Sequence, residues 1–245
     1  MKIPKIIIKT YVKIKMLLKK TYLYLDYLND FRIFTKTGKT KWKDRYPILG
    51  EKNIMGFDKH YVLYFAWASR VIKKINPKEH YDISSGLSLM VVLSAFIKTT
   101  YLEYRSLPID LDNFNNASCD LTNLHYTSNS IESLSCLHVL EHIGLGRYGD
   151  LIDPKGDIKA INELKRVASK DLLIVMPLKE KDIIQFNAHR FYSYDTIIKY
   201  FKPFKLNEFS LITDDGKLVR NATKKLADSQ KYGCGCFWFK HNIAK

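Results

Sequence analysis

Several segments of the chain end an apolar or β-branched run on a side chain able to do chemistry. They read Tyr81-Asp82-Ile83-Ser84-Ser85-Gly86-Leu87-Ser88, Tyr101-Leu102-Glu103-Tyr104-Arg105, Cys119-Asp120-Leu121-Thr122-Asn123-Leu124 and Leu137-His138-Val139-Leu140-Glu141-His142-Ile143-Gly144. A carboxylate accepts two donors at once, so Asp82, Glu103 and Asp120 suit a ligand that presents paired donors. The competing role for Asp82 and Glu103 is that of a surface cap at a strand end. Histidine titrates near neutrality, so His142 and His189 are candidate general bases, with Asp150 as a carboxylate partner. Glu141 and His142 fall where a substrate pocket is expected. Arg147 and Arg190 suit a phosphate or carboxylate on a substrate. The alternative for both arginines is pairing with Glu141, Asp150 or Asp153 to hold a loop. His138 lies inside a proposed strand and reads as a hydrogen-bonded core histidine.

The elements that must position these groups alternate in type. Asp58 caps a helix through Val62, Leu63, Phe65, Ala66, Val71 and Ile72 that Asn76-Pro77 ends. Residues 80–84 read as a strand, 87–97 as an apolar helix, and 99–104 as a β-branched and aromatic strand. A strand-like run spans 133–140. Ile158, Ile161, Leu164 and Val167 then mark one buried stripe of a helix that starts at Gly156-Asp157. The run Leu172 to Met176, stopped by Pro177, reads as a strand buried on both faces. A short helix at 194–201 and strands at 209–213 and 237–240 complete the pattern. Strands alternating with helices predict a doubly wound α/β sheet, whose ligands sit beyond the carboxyl ends of the strands.

The four quoted loops, taken in order, resemble those of class I S-adenosylmethionine-dependent methyltransferases. Asp120-Leu121 and the strand ending Val139-Leu140-Glu141-His142 carry most of the likeness, joined by Asn162-Glu163-Leu164-Lys165-Arg166-Val167 and Val175-Met176-Pro177. More narrowly, the segments from Glu141 to Asp150 and from Phe186 to Arg190 resemble the DUF268 group. That group has no known function, looks methyltransferase-like and is tied to surface-glycan synthesis. The resemblance covers roughly Tyr81 to Phe201. It implies a Rossmann-like, mostly parallel seven-stranded sheet over residues 57–245, S-adenosylmethionine as cofactor, and O-methylation of a glycan precursor or related small molecule. A catalytically decayed binding or scaffold protein on the same fold is the alternative. By the family pattern, Asp82, Ser84 and Gly86 would form the loop around the methionine end, with Gly86 letting backbone approach closely. Glu103 would accept from both ribose hydroxyls, and Asp120 and the Leu121 backbone would meet adenine. The family loop has glycine where Ser84 and Ser88 stand, and serine resists positive φ.

Residues 1–56 differ from the rest. Lysines thread an apolar, tyrosine-rich stretch, with Lys2, Lys5, Lys9 and Lys13 at helical spacing, which predicts a basic amphipathic extension followed by an irregular connector from Thr35 to Gly56. Such a helix can lie on an anionic membrane surface or pack on a domain. It cannot span, because lysines interrupt every long apolar run. The net charge of +15 favours acidic partners. Without a stacking platform or an amino-methylating Asn/Asp-Pro-Pro-Tyr motif, no nucleic acid is expected. A nicotinamide enzyme is disfavoured by the missing Gly-x-Gly-x-x-Gly. No small-residue cleavage site is evident, so a reducing cytoplasm is expected, peripheral to the inner membrane at most. Cys234-Gly-Cys236 with His241 has the wrong spacing for a zinc motif, and no metal is expected there.

Overall fold

The computed structural model describes residues 5–38, 41–49, 57–105 and 107–241, with the side chains of 5–10, 37 and 44 left aside. Contacts divide the chain into two units, Met1–Phe57 and Asp58–Lys245. In the first, helix α1 (Lys5–Thr37) is followed by a 3-10 turn at Trp42–Asp44. Lys2 and residues 50–56 lie outside the described residues. Among the described side chains of α1 the apolar groups are not confined to one face. Met16, Leu17 and Leu18 follow one another at about 100° per residue, so apolar groups surround the axis. Among the described residues no helix is long and apolar enough to cross a membrane.

The second unit starts with α2 (Lys59–Ile75), where the Asp58 carboxylate accepts from Tyr61 N at 3.1 Å and left-handed Asn76 ends the helix. Then come β1 (Glu79–Ile83), α3 (Leu87–Ser94), β2 (Lys98–Glu103), β3 (Phe114–Ser118), β4 (Ile131–Leu137), α4 (Gly156–Val167) and β5 (Ala168–Leu178). The hairpin β6 (Ile183–Gln185) and β7 (His189–Phe191) precedes α5 (Tyr194–Tyr200), β8 (Lys205–Ile212), β9 (Leu218–Val219), α6 (Lys224–Asp228) and β10 (Gly233–Lys240).

The main sheet runs β3-β2-β1-β4-β5-β10-β8-β9, parallel from β3 to β5 and antiparallel beyond. Chain order reverses between β1 and β4, which opens a crevice at their carboxyl ends. Eight strands stand where seven were expected, because two-residue β9 pairs with the end of β8. Helices cover both faces, as the alternation of β5 shows. Leu172, Ile174 and Met176 join the core of Ile161 and Leu164 from α4 and Ile197 from α5. Leu173 and Val175 join Tyr64 and Trp67 from α2 and Met90 from α3.

Pro177 does not stop β5, contrary to expectation. Val175 O accepts from His138 N at 2.9 Å, so odd-numbered residues of β5 turn their polar groups toward β4, which has ended at Leu137. Pro177 therefore faces a vacated edge where its missing N–H costs no ladder bond, and its carbonyl accepts from Tyr192 N at 3.2 Å. Strand β4 is likewise shorter than the run 133–140, since His138 turns to φ 60° and a 3-10 turn covers Leu140–His142.

Candidate active site

Three carboxylates meet at the crevice. Glu103 ends β2, and its register partner on β3 is Ser118, so Asp120 follows on the adjacent strand's exit. Cys119 lies between them and donates its N–H to Glu103 O at 2.9 Å. Burial, then the fields of Glu103, Asp120 and Asp82, push the Cys119 thiol up to about 12. Glu103 Oε1 accepts from Tyr104 N at 2.7 Å and Oε2 from Tyr101 Oη at 3.2 Å. Asp120 Oδ1 accepts from Thr122 N at 2.8 Å and Thr122 Oγ1 at 2.7 Å, a local turn that fixes the carboxylate. The Leu121 side chain is buried in the core.

Asp82 is fully buried under the first loop. Its Oδ1 accepts from Ser85 N at 3.0 Å and Oδ2 from the Ser135 hydroxyl, and Ser85 Oγ accepts from Leu137 N at 2.8 Å. Ser135 continues to His80 Nε2 at 2.9 Å, and His80 Nδ1 reaches Ser133 Oγ at 2.8 Å. Burial raises Asp82 to about 6 and lowers His80 to about 3. Asp82 therefore orients the loop from below and is no surface cap. Ser84 does take positive φ, 53°, so the loop keeps the left-handed turn despite lacking glycine. Gly86 also has a packing role. Its φ is −82°, and a Cβ there would stand 2.0 Å from Phe65 Cζ. A side chain there would have to displace the half-buried Phe65 ring of α2.

On the β4 side, Glu141 is 1% exposed; its Oε1 lies 2.6 Å from His138 Nδ1, while Oε2 has no partner. His142 Nδ1 faces Ala188 O at 2.8 Å and so must carry the proton, leaving Nε2 as the basic nitrogen, 3.9 Å from Glu141 Oε1. Burial lowers the pKa of His142 and of His189. The two rings sit 6.3 Å apart, His189 Nε2 has no partner, and Tyr148 and Tyr232 stand at 5.6 Å from His142 and 5.5 Å from His189. Exposed Arg147 donates to Ala188 O at 3.0 Å.

Two expected substrate ligands are otherwise employed. Arg190 is 3% exposed, donates to Ile143 O at 2.6 Å, and its Nε lies 3.5 Å from Asp157 Oδ2. It pins the loop after β4 from inside and offers nothing to a substrate. Asp150 accepts from Gly144 N at 2.7 Å, Gly146 N at 3.4 Å and Tyr148 N at 3.3 Å. It ties the same loop and is no partner for a histidine. Gly144, at φ 78° with the Asp153 carbonyl 2.1 Å from where a Cβ would be, lets that loop close. His138 is the hydrogen-bonded, largely buried histidine expected, although it follows β4 rather than lying in it: its imidazole links Glu141 to Cys234 Sγ, at 3.2 Å. Ser85 and His80 carry no motif, because their roles come from contacts across the sheet.

This order of strands, with helices on both faces, is a Rossmann-like architecture, the fold that class I S-adenosylmethionine-dependent methyltransferases share. Residues 103–214 match the family described as Caenorhabditis protein of unknown function, DUF268, the group that the sequence resembles. No curated protein matches the chain. Solved structures share the fold at low identity. N-methyltransferase NodS from Bradyrhizobium japonicum, in complex with S-adenosyl-L-homocysteine, is 11% identical with a TM-score of 0.52, over 84% of this chain and 94% of that one. Magnesium protoporphyrin IX methyltransferase from Synechocystis, also with bound S-adenosylhomocysteine, is 12% identical with a TM-score of 0.51, over 93% and 100%. The [4+2]-cyclase SpnF is 9% identical with a TM-score of 0.51, over 72% and 80%. A fold that carries a cyclase as well as methyltransferases leaves the reaction to be argued from the site.

Proposed function

We propose that this chain is an S-adenosylmethionine-dependent O-methyltransferase acting on a surface-glycan precursor or related small molecule. The observation that carries the reading is that Asp82, Glu103 and Asp120 leave three adjacent strands at the same end of the sheet, with the Tyr101 hydroxyl joining Glu103 to the Ser85 carbonyl of the loop that Asp82 holds. The residues fit the cofactor. A carboxylate has about four lone-pair sites, and each Glu103 oxygen has one taken by the protein, which leaves one per oxygen for a ribose diol. Asp120 is exposed and held by Thr122, ready for an adenine amino group. Gly86 opens α3, whose first amides suit the cofactor's carboxylate.

The cofactor supplies an electrophilic methyl group, so the chain must align the acceptor, exclude water and receive a proton. A hydroxyl acceptor needs a base. His142 is the better candidate, because the Ala188 carbonyl fixes its tautomer and burial keeps it neutral. The Tyr148 and Tyr232 rings beside His142 and His189 offer flat apolar faces for a sugar, and Arg147 suits an acidic group on it. In this reading the lysine-rich residues 1–35 hold the enzyme at an anionic membrane surface, through charge more than through a one-sided apolar stripe.

Calorimetry with S-adenosylhomocysteine, and release of S-adenosylhomocysteine from S-adenosylmethionine with acidic sugar acceptors, test the proposal. Micromolar binding with turnover supports it. Binding without turnover on any hydroxylated acceptor favours the decayed scaffold, and absence of binding at millimolar ligand defeats both cofactor readings.

A further inference from the structure

We propose that His60, His138 and Cys234 bind a zinc ion, beside but separate from the nucleoside crevice. The ligands come from α2, the turn after β4 and the start of β10, and their donor atoms all lie within 4.8 Å of one another. Tetrahedral zinc, with bonds of about 2.3 Å to sulfur and 2.0–2.1 Å to nitrogen, sets sulfur and nitrogen about 3.5 Å apart. His138 Nε2 and Cys234 Sγ stand at 3.2 Å, so that pair needs only a few tenths of an ångström of adjustment. His60 stacks on His138 with ring centroids 5.7 Å apart and planes 10° from parallel, and Tyr232 closes on His60 edge-on at 5.2 Å.

Independent support comes from Glu141. A metal-bound imidazole usually gives its other N–H to a carboxylate, and Glu141 Oε1 holds His138 Nδ1 at 2.6 Å. That carboxylate is buried, its second oxygen has no partner, and its charged contacts among the described residues are imidazoles alone. A buried anion is costly without a compensating cation, and a divalent ion on His138 would provide one. His138 is also held at φ 60°, a backbone strain that tends to persist where the side chain has a task.

The order Cys234–His138–Glu141 is equally that of a nucleophile, its base and the group that orients the base. Cys234 is fully buried, which bars a bulky substrate from its sulfur but not an ion. One soft thiolate with two imidazoles selects zinc over calcium or magnesium. Binding would release the thiol proton to solvent as the sulfur–zinc bond forms, and three protein ligands leave a fourth position for water or a substrate oxygen. None of this depends on the methyltransferase reading.

The test uses the full chain, stripped of metal by a chelator and titrated with cobalt(II), then zinc(II). One equivalent should bind, with a thiolate-to-cobalt charge-transfer band that zinc abolishes. The band should vanish in Cys234→Ser and persist in Cys236→Ser. His60→Ala, on the helix surface, should weaken zinc at least tenfold with an unchanged far-ultraviolet spectrum, and Glu141→Gln should weaken it about 10- to 100-fold. A wild-type chain without the band, or a band that survives Cys234→Ser, overturns the proposal.

Discussion

Replacing Glu103 by alanine removes the acid to which the ribose is assigned, and the structure sets the size of the effect. Of about four lone-pair sites on the carboxylate, Tyr104 N and Tyr101 Oη occupy one on each oxygen. The remaining two serve the two ribose hydroxyls, and a hydrogen bond to a charged group is worth about 1.5–3 kcal/mol. Glu103 is only half-buried, so the lower bound applies, which gives about 3 kcal/mol for the pair. That corresponds to about 100-fold weaker binding. Glu103→Gln keeps one acceptor and should lose about tenfold. Isothermal titration with S-adenosylhomocysteine reads both. Thermal unfolding serves as the control, because the Tyr101 hydroxyl keeps the Ser85 carbonyl at 3.3 Å and stability should change by no more than about 1 kcal/mol. If wild-type chain binds and folded Glu103→Ala binds within threefold of it, the ribose assignment is wrong.

Arg190→Ala leaves the buried Asp157 carboxylate with the Tyr192 hydroxyl but without its cation and should lower the unfolding free energy by about 3 kcal/mol, measured in urea; an unchanged midpoint would show that the pair is not buried in solution. Gly86→Ala should destabilise by about 1–3 kcal/mol through the clash with Phe65, and Phe65→Ala in the same chain should recover part of the loss; a neutral Gly86→Ala removes the packing explanation. The buried pair under the first loop makes a pH prediction. His80 titrates at about 3 in the fold against 6.5 ordinarily, so the unfolded chain takes the proton first; its stability contribution is complete above pH 6.5 and is lost as pH falls toward 3. Asp82, at about 6 against 3.8, holds a proton that the unfolded chain releases, so its contribution is complete below pH 3.8 and is lost as pH rises to 6. The slopes oppose between those limits. Asp82→Asn should expose the His80 slope, a loss of up to about 1.4 kcal/mol per pH unit on acidification from pH 6 to 4, and a flat urea-stability profile in that variant would refute it.

Local chemistry made much of the fold legible. Asp58 and Asn76 bracket α2 through capping and a left-handed turn, and the period-three stripe of Ile158, Ile161, Leu164 and Val167 marks α4. Strand β3 escaped because Phe114 is its only buried residue, so an edge strand leaves no alternating pattern. Strand β5 ran past Pro177 because a proline's effect depends on which neighbour its missing N–H faces. The carboxylates at strand exits could be picked out by position along the chain. Whether an arginine stays at the surface or meets a buried acid could not, since only packing leaves Arg147 exposed on the loop after β4 and buries Arg190 of β7 against Asp157. His60, His138 and Cys234 are brought together by α2 and β10 crossing the end of β4. Ligand donors separated so widely along a chain have no shared period, cap or spacing, and only tertiary packing decides that they meet.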